Sequence, residues 1–184
     1  MNEIDILIRI TGIIAIIFNI TSVLINKKIL IIFTILANIF FAAQFFLLGA
    51  YVAVFSCIVT SLAALVVHIH HSRDLKTPEI VLILFITIFI LSGYFQSDID
   101  LDGNDLLPIL ASIMVVFALE NKNIITAKFY YLICAILWII YDFNLHIIPW
   151  ENVINQVFLI IFTVVTFLFY EVLNKKKTEY FKEK

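Results

Sequence analysis

From Ile29 to Ser72 the chain carries no Asp, Glu, Lys or Arg. A segment of that length cannot form the surface of a water-soluble domain. A membrane-crossing helix needs roughly 20 mostly apolar residues, so the run holds two crossings. Gly49-Ala50-Tyr51 is the predicted turn between them. The rest of the chain agrees: of 184 residues 63% are hydrophobic and only 14% charged, with a mean hydropathy of +1.09. Soluble domains carry about 25% charged residues. Lipid is therefore the expected surrounding medium.

Apolar runs punctuated by charged or turn-forming residues predict seven helices, at about 4–25, 29–48, 52–71, 78–95, 105–119, 124–145 and 151–172. The first is not read as a cleaved leader, because it opens Met-Asn-Glu-Ile-Asp and ends in Asn26-Lys27-Lys28, where a signal would open basic and end small. Seven crossings put Lys27, Lys28, Arg73, Lys76, Lys122, Lys128 and the tail lysines (Lys175, Lys176, Lys177, Lys182, Lys184) on one face, eleven of the twelve basic residues, leaving only Arg9. Asp98, Asp100, Asp102, Asp105 and Glu151 gather on the other. Basic residues in short loops mark the cytoplasm, so the expectation is N-terminus outside and C-terminus inside. The fifth span is the weakest, being short and containing Pro108, but deleting it would send seven lysines outside. Lys128 is expected to snorkel from the inner end of helix six.

Asn26-Lys27 recurs as Asn121-Lys122, 95 residues later, each between a first and a second helix of a triplet. With that offset helices one to three overlie helices five to seven, and helix four becomes a linker. The fold class expected is thus an all-α integral membrane protein with seven transmembrane helices in a 3+1+3 arrangement of two parallel three-helix bundles, a known plan for transporters. Its parts are a first bundle over 1–71, a linker over 72–104 with helix four and an acidic outer loop, a second bundle over 105–172, and a basic cytoplasmic tail over 173–184.

Polar residues within spans usually face the bundle interior or an aqueous cavity. In helix seven Asn152, Asn155, Gln156, Thr163, Thr166 and Tyr170 fall on one stripe, and in helix three Ser56, Thr60, Ala64 and His68 are successive i+4 positions. Asp5, Arg9, Gly12, Asn19 and Asn26 lie near one face of helix one. The plainer reading of each is interhelical glue. As a set, three carboxamides within five residues of helix seven exceed what packing needs. Asp142, near the outer end of helix six, reads as an interfacial carboxylate, with pairing to Arg9 or a proton-coupling role as alternatives. Trp138, Tyr141 and Trp150 suit an outer aromatic belt.

Other chemistry is poorly represented. His68, His70 and His71 come nearest to a metal set, but no carboxylate or cysteine of that helix completes one, and a solvated helix end is the simpler reading. Cys57 and Cys134 read as small packing residues. The four glycines are too scattered to cradle a phosphate, no nucleophile stands beside a plausible base and acid, and no basic stripe with aromatics suggests nucleic acid. Neither an enzyme nor a cofactor is expected. Nothing fixes the number of copies, and a homo-oligomer stays open.

The segments Gln44-Phe45-Phe46-Leu47-Leu48-Gly49-Ala50-Tyr51, Asp105-Leu106-Leu107-Pro108-Ile109 and Trp138-Ile139-Ile140-Tyr141 resemble those of the bacterial YgjV-type inner-membrane proteins, over nearly the whole chain. That resemblance implies a location in the inner membrane more than an activity. The 3+1+3 plan also resembles the SWEET and PQ-loop transporters. This likeness implies a cavity between two three-helix bundles that takes a sugar, amino acid or other small metabolite. It would place Asn155 at a substrate-binding position, Thr60 at the equivalent place in the first half, and Trp138 in the pocket. The chain departs from that pattern: Asn26-Lys27 and Asn121-Lys122 stand where Pro-Gln pairs would, and hinge prolines of helices one, two and six are absent.

The expectation is a uniporter or proton-coupled carrier of a small polar solute. Asn155, Gln156, Asn152, Thr60 and Trp138 would line its site, Asn19 and Asn38 are lesser candidates, and Asp142 and Arg9 are candidates for proton coupling. A non-transporting scaffold, or the small subunit of a larger membrane complex, is the competing reading.

Overall fold

The computed structural model describes residues 3–24, 27–73, 75, 77–96, 103–121 and 123–182, with side chains described for these except 22–24, 27–31, 71–72, 92–96, 103, 124 and 170–182. Asn26, Lys76, Lys122, Lys184 and the loop acids Asp98, Asp100 and Asp102 lie outside the described residues, as do the side chains of Lys27, Lys28, His71, Tyr170 and the other tail lysines.

Among the described residues there are seven α-helices and no strand: α1 (Glu3–Leu24), α2 (Lys27–Leu47), α3 (Tyr51–Ser72), α4 (Glu79–Gln96), α5 (Leu106–Glu120), α6 (Ile124–Phe143) and α7 (Trp150–Lys182). Four stretches are long and apolar enough to cross a membrane, Glu3–Thr21, Tyr51–His70, Ile125–Phe143 and Trp150–Phe169. The described apolar stretches of the others are shorter, Ile32–Leu47, Glu79–Leu91 and Leu106–Glu120. The 15 residues of α5 rise only about 22 Å, short of a hydrocarbon core of roughly 30 Å. A 3-10 turn, Gly103–Asp105, precedes it and adds about 6 Å. At its other end α7 runs on to Lys182, well beyond 172. No proline or glycine interrupts Glu171 to Lys182, so the lysine-rich tail continues the helix.

Helix α1 packs on α2 and α7, α2 on α3, α3 on α5, α5 on α6, and α6 on α7. These contacts close a ring of six helices. Helix α4 lies outside it, against α3 and α5. Lipid offers no hydrophobic gain for helix association, so close approach depends on small side chains and complementary packing. Ala15, Ala42, Ala53, Ala111, Cys57 and Cys134 supply the small surfaces at the ring's centre, interleaved with Phe41, Phe45, Trp138 and Tyr141. A second cluster of Val52, Val59, Ala63, Phe85, Phe89, Ile109 and Val116 fastens α4 to α3 and α5. The outward faces carry Ile13, Ile17, Ile80, Ile83, Leu168 and Phe169, all well exposed. In water such a surface would be a liability; against acyl chains it is at home.

Two of the three expected belt aromatics are inside. Trp138 and Tyr141 are buried and pack on Phe45, Trp138 by stacking at 5.3 Å between centroids. Trp150, 48% exposed, stays at the surface. They face inward because their side of α6 meets α2 and α3 rather than lipid. Lys128 of α6 lays its ammonium over the Phe162 ring of α7, 5.1 Å from the centroid, a cation–π contact between the two helices.

The turn between α2 and α3 falls where expected. Gly49 has φ 73°, and the Ala50 and Gly49 amides donate to the Phe45 and Phe46 carbonyls at 2.9 and 3.1 Å. This is the Schellman closure of a helix, which favours glycine at the left-handed position. Nothing stands within 4 Å of a Cβ built there, so substitution meets only backbone strain. Gly49→Ala is expected to destabilise the protein by about 1–2 kcal/mol, read as a lower melting temperature in detergent with the helix content of the native protein unchanged.

Candidate functional site

Pro149 starts α7. Its carbonyl accepts from the Asn152 and Val153 amides at 2.9 and 3.1 Å, and having no N–H of its own it suits a helix entrance. The first two turns then place Glu151, Asn152, Asn155 and Gln156, positions i, i+1, i+4 and i+5, against the ring interior, each buried. Four polar side chains buried among apolar helices each need a partner.

Glu151, Asn152 and Asn155 find partners on three other helices, and Gln156 finds one on α7 itself. Asn152 Nδ2 donates to Asp142 Oδ2 of α6 at 2.8 Å, and Gln156 Nε2 donates to Asn152 Oδ1 at 3.2 Å. Asn19 Nδ2 of α1 donates to Asn155 Oδ1 at 2.6 Å. Arg9 of α1 donates to both carboxylate oxygens of Glu151, at 3.1 and 3.2 Å. Gln44 of α2, wholly buried, donates to Glu151 Oε2 at 3.2 Å and to the Ile8 carbonyl at 3.3 Å. Gly12 makes this approach possible, since a Cβ there would collide with Gln44 Nε2 and with Glu151 Cβ. Gln44 Oε1, Asp142 Oδ1 and Ser56 Oγ are buried without a hydrogen-bond partner. Each such vacancy costs roughly 1–3 kcal/mol.

Inside the ring lies a cavity of about 140 Å³. Its wall includes Asn19 from α1, Asn38 from α2, Thr60 from α3, Trp138 from α6, and Asn152, Asn155 and Gln156 from α7. These are the seven residues the sequence singled out, and the fold brings them round one space. Phe41, Phe45, Cys57, Cys134 and Tyr131 add an apolar and aromatic surface, while Thr34 and Ser112 add hydroxyls. The sequence reading did not select Thr34, Ser112 or Tyr131, and nothing in their spacing marked them. No described lining residue is ionisable at the carboxylate, imidazole or amine level.

The remaining candidates sit elsewhere. Asp142 is not at an interface: it is fully buried and reaches the cavity wall only through Asn152. It does not pair with Arg9, whose partner is Glu151. The helix-seven stripe divides, because Thr163 is buried but not in the cavity wall, and Thr166 bonds the Phe162 carbonyl of its own helix. On α3 Thr60 and Ala64 line the cavity, while Ser56 and His68 do not. His70 Nδ1 lies 2.9 Å from the Val66 carbonyl. Gln44 and Glu151 were the polar partners overlooked. Gln44 is the lone Gln of the charge-free run, a signal that it needed an answer.

The family model for bacterial inner membrane proteins of the YgjV type matches residues 6–172, which reaches into every helix of the ring. The chain belongs to that family. Comparison with curated proteins and with solved structures finds no match. Membership places the protein in the bacterial inner membrane, in agreement with the apolar helices and their apolar outward faces.

The Arg9–Glu151 pair offers a direct test of this construction. Removing one partner of a largely buried pair strands the other charge, at a cost of roughly 3–5 kcal/mol when burial is complete. With Arg9 36% exposed, a smaller loss is expected. Arg9→Leu should therefore lower the melting temperature clearly, and adding Glu151→Gln to it should restore much of the loss by removing the stranded charge.

Proposed function

We propose that the protein is a carrier of a small polar solute, acting as a uniporter or with proton coupling, and that the cavity is its binding site. The observation that carries this reading is the convergence of five carboxamides, several hydroxyls and an aromatic wall on one space inside the helix ring. Such a set is more than interhelical adhesion requires. Hydrogen bonds between membrane helices contribute about 0.6 kcal/mol on average, so evolution has little to gain from lining a void with amides merely to hold helices together.

The contact pattern supports a 3+1+3 plan. Exchanging α1, α2 and α3 for α5, α6 and α7 converts each ring contact into another ring contact, with the α3–α5 seam becoming α7–α1. Two triplets meeting at two equivalent seams could rock about an axis along the membrane normal, presenting the cavity to one side and then the other. The basic residues of alternate loops favour an orientation with the N-terminus outside. The Arg9–Glu151–Gln44 cluster then holds the outer end. Arg9 is engaged with Glu151, which leaves Asp142 as the better candidate for proton coupling.

Uptake by proteoliposomes across a panel of sugars, amino acids and nucleobases tests the reading. At least one solute should enter in the wild type. Asn155→Leu should reduce that uptake roughly 5–100-fold, the loss expected when a buried hydrogen bond is broken. Unchanged uptake in a variant that melts like the wild type would remove Asn155 from the site.

A further inference from the structure

We infer that the solute is an uncharged single ring bearing N–H beside C=O, a lactam or cyclic ureide of the pyrimidine-base class. This inference rests on the carrier reading above and adds the chemistry of what is carried.

Charge is the first criterion. None of the described residues lining the cavity is Asp, Glu, Lys, Arg or His. Of the described cations on the ring helices, Arg9 is held by Glu151 and Lys128 lies over the Phe162 ring outside the cavity lining, and Asp142 stands behind Asn152. An amino acid zwitterion, a phosphate or an ammonium ion would bring a charge into this space without a counter-charge, which burial penalises heavily. A neutral solute meets no such penalty.

The second criterion is size. A cavity of about 140 Å³ is close to the roughly 150 Å³ void that accepts benzene in another protein. One six-membered ring with one or two small substituents fits. A hexose, with twice the heavy atoms of benzene, would project beyond this space.

The third is the arrangement of donors and acceptors. Asp142 Oδ2 takes the Asn152 amide N–H, which turns Asn152 Oδ1 toward Gln156 and occupies one Gln156 N–H. Gln156 is thereby left with Oε1 as acceptor and a second N–H as donor at the cavity wall. Asn155, whose Oδ1 already accepts from Asn19, keeps its NH₂ for the same space. A carboxamide edge of this kind pairs with an edge carrying a donor beside an acceptor, as when Asn or Gln reads a base. Phe41, Phe45 and Trp138 provide apolar walls for the faces of a planar ring. A polyol, with hydroxyls round its whole rim, would leave several unanswered against those walls. Asp142 is a positioning residue here: it touches no solute but fixes which way the Asn152 and Gln156 amides face.

The test is the thermal stability of the full chain, purified in detergent, against uracil, glucose, alanine and choline in turn, followed by proteoliposome uptake of the same four. The inference expects uracil alone to raise the melting temperature and to enter. Gln156→Leu should weaken the apparent uracil affinity at least on the order of tenfold. Asp142→Asn, which still offers Asn152 an acceptor, should retain uracil binding where Asp142→Leu loses it, and this split separates orientation of the relay from mere loss of stability. If Asp142→Leu does not fold, retention by Asp142→Asn together with loss in Gln156→Leu decides the same point. Stabilisation and uptake of glucose, alanine or choline without uracil would overturn the inference and leave the carrier reading standing. No stabilisation and no uptake with any of the four, followed by none across the wider panel, would overturn both.

Discussion

Hydrocarbon offers no hydrogen-bond partner, and the first two turns of α7 bring four polar side chains into it. The whole arrangement follows from answering them. Asp142 fixes the rotation of α6, Asn19 and Arg9 that of α1, and Gln44 that of α2. The balance of magnitudes explains why such bonds orient helices more than they stabilise them. A satisfied interhelical bond contributes about 0.6 kcal/mol in a membrane, whereas a buried group left unsatisfied costs roughly 1–3 kcal/mol. A helix rotated by one position would lose little favourable energy at any one bond but would strand several groups at once.

The apolar packing is adapted to this polar frame. Gly12 leaves the notch that lets α2 and α7 reach each other across α1, and the alanines and cysteines at the ring's centre keep α2, α3, α5 and α6 close. Large aromatics fill what remains, except where the carboxamides keep the space open. Helix α4 is fastened to α3 and α5 through Phe85 and Phe89, and its outward face carries Ile and Leu.

The polar frame was only partly legible from sequence. Asn152, Asn155 and Gln156 stand out because amides are expensive in an apolar helix, and their spacing alone shows that they face one way. The turn at Gly49 was legible because few other residues suit a left-handed helix end. Pairings between helices were not. Nothing local distinguishes Glu151 from the loop acids near it, and Arg9 could have answered any outer carboxylate. Asp142 looked interfacial because it lies near a helix end, a position shared by surface and buried groups alike. Trp138 and Tyr141 misled in the same way: an aromatic near a helix end suits a lipid belt or a core equally well, and only the neighbours on α2 and α3 decide. The seventh helix was expected to end near 172, where the apolar run gives way to lysines, yet helix formation needs only compatible residues and no apolar surroundings.

The link between Arg9 and Glu151 also bears on how the protein is made. The two residues are 142 positions apart, and chains grow at roughly 5–20 residues per second, so α1 enters the bilayer roughly 7–30 s before its partner exists. During that interval the guanidinium has water, lipid headgroups and Asp5, four residues back on its own helix, within reach. Arrival of α7 closes the ring and brings Arg9 the Glu151 carboxylate. The first helix synthesised thus takes its final partner from the last.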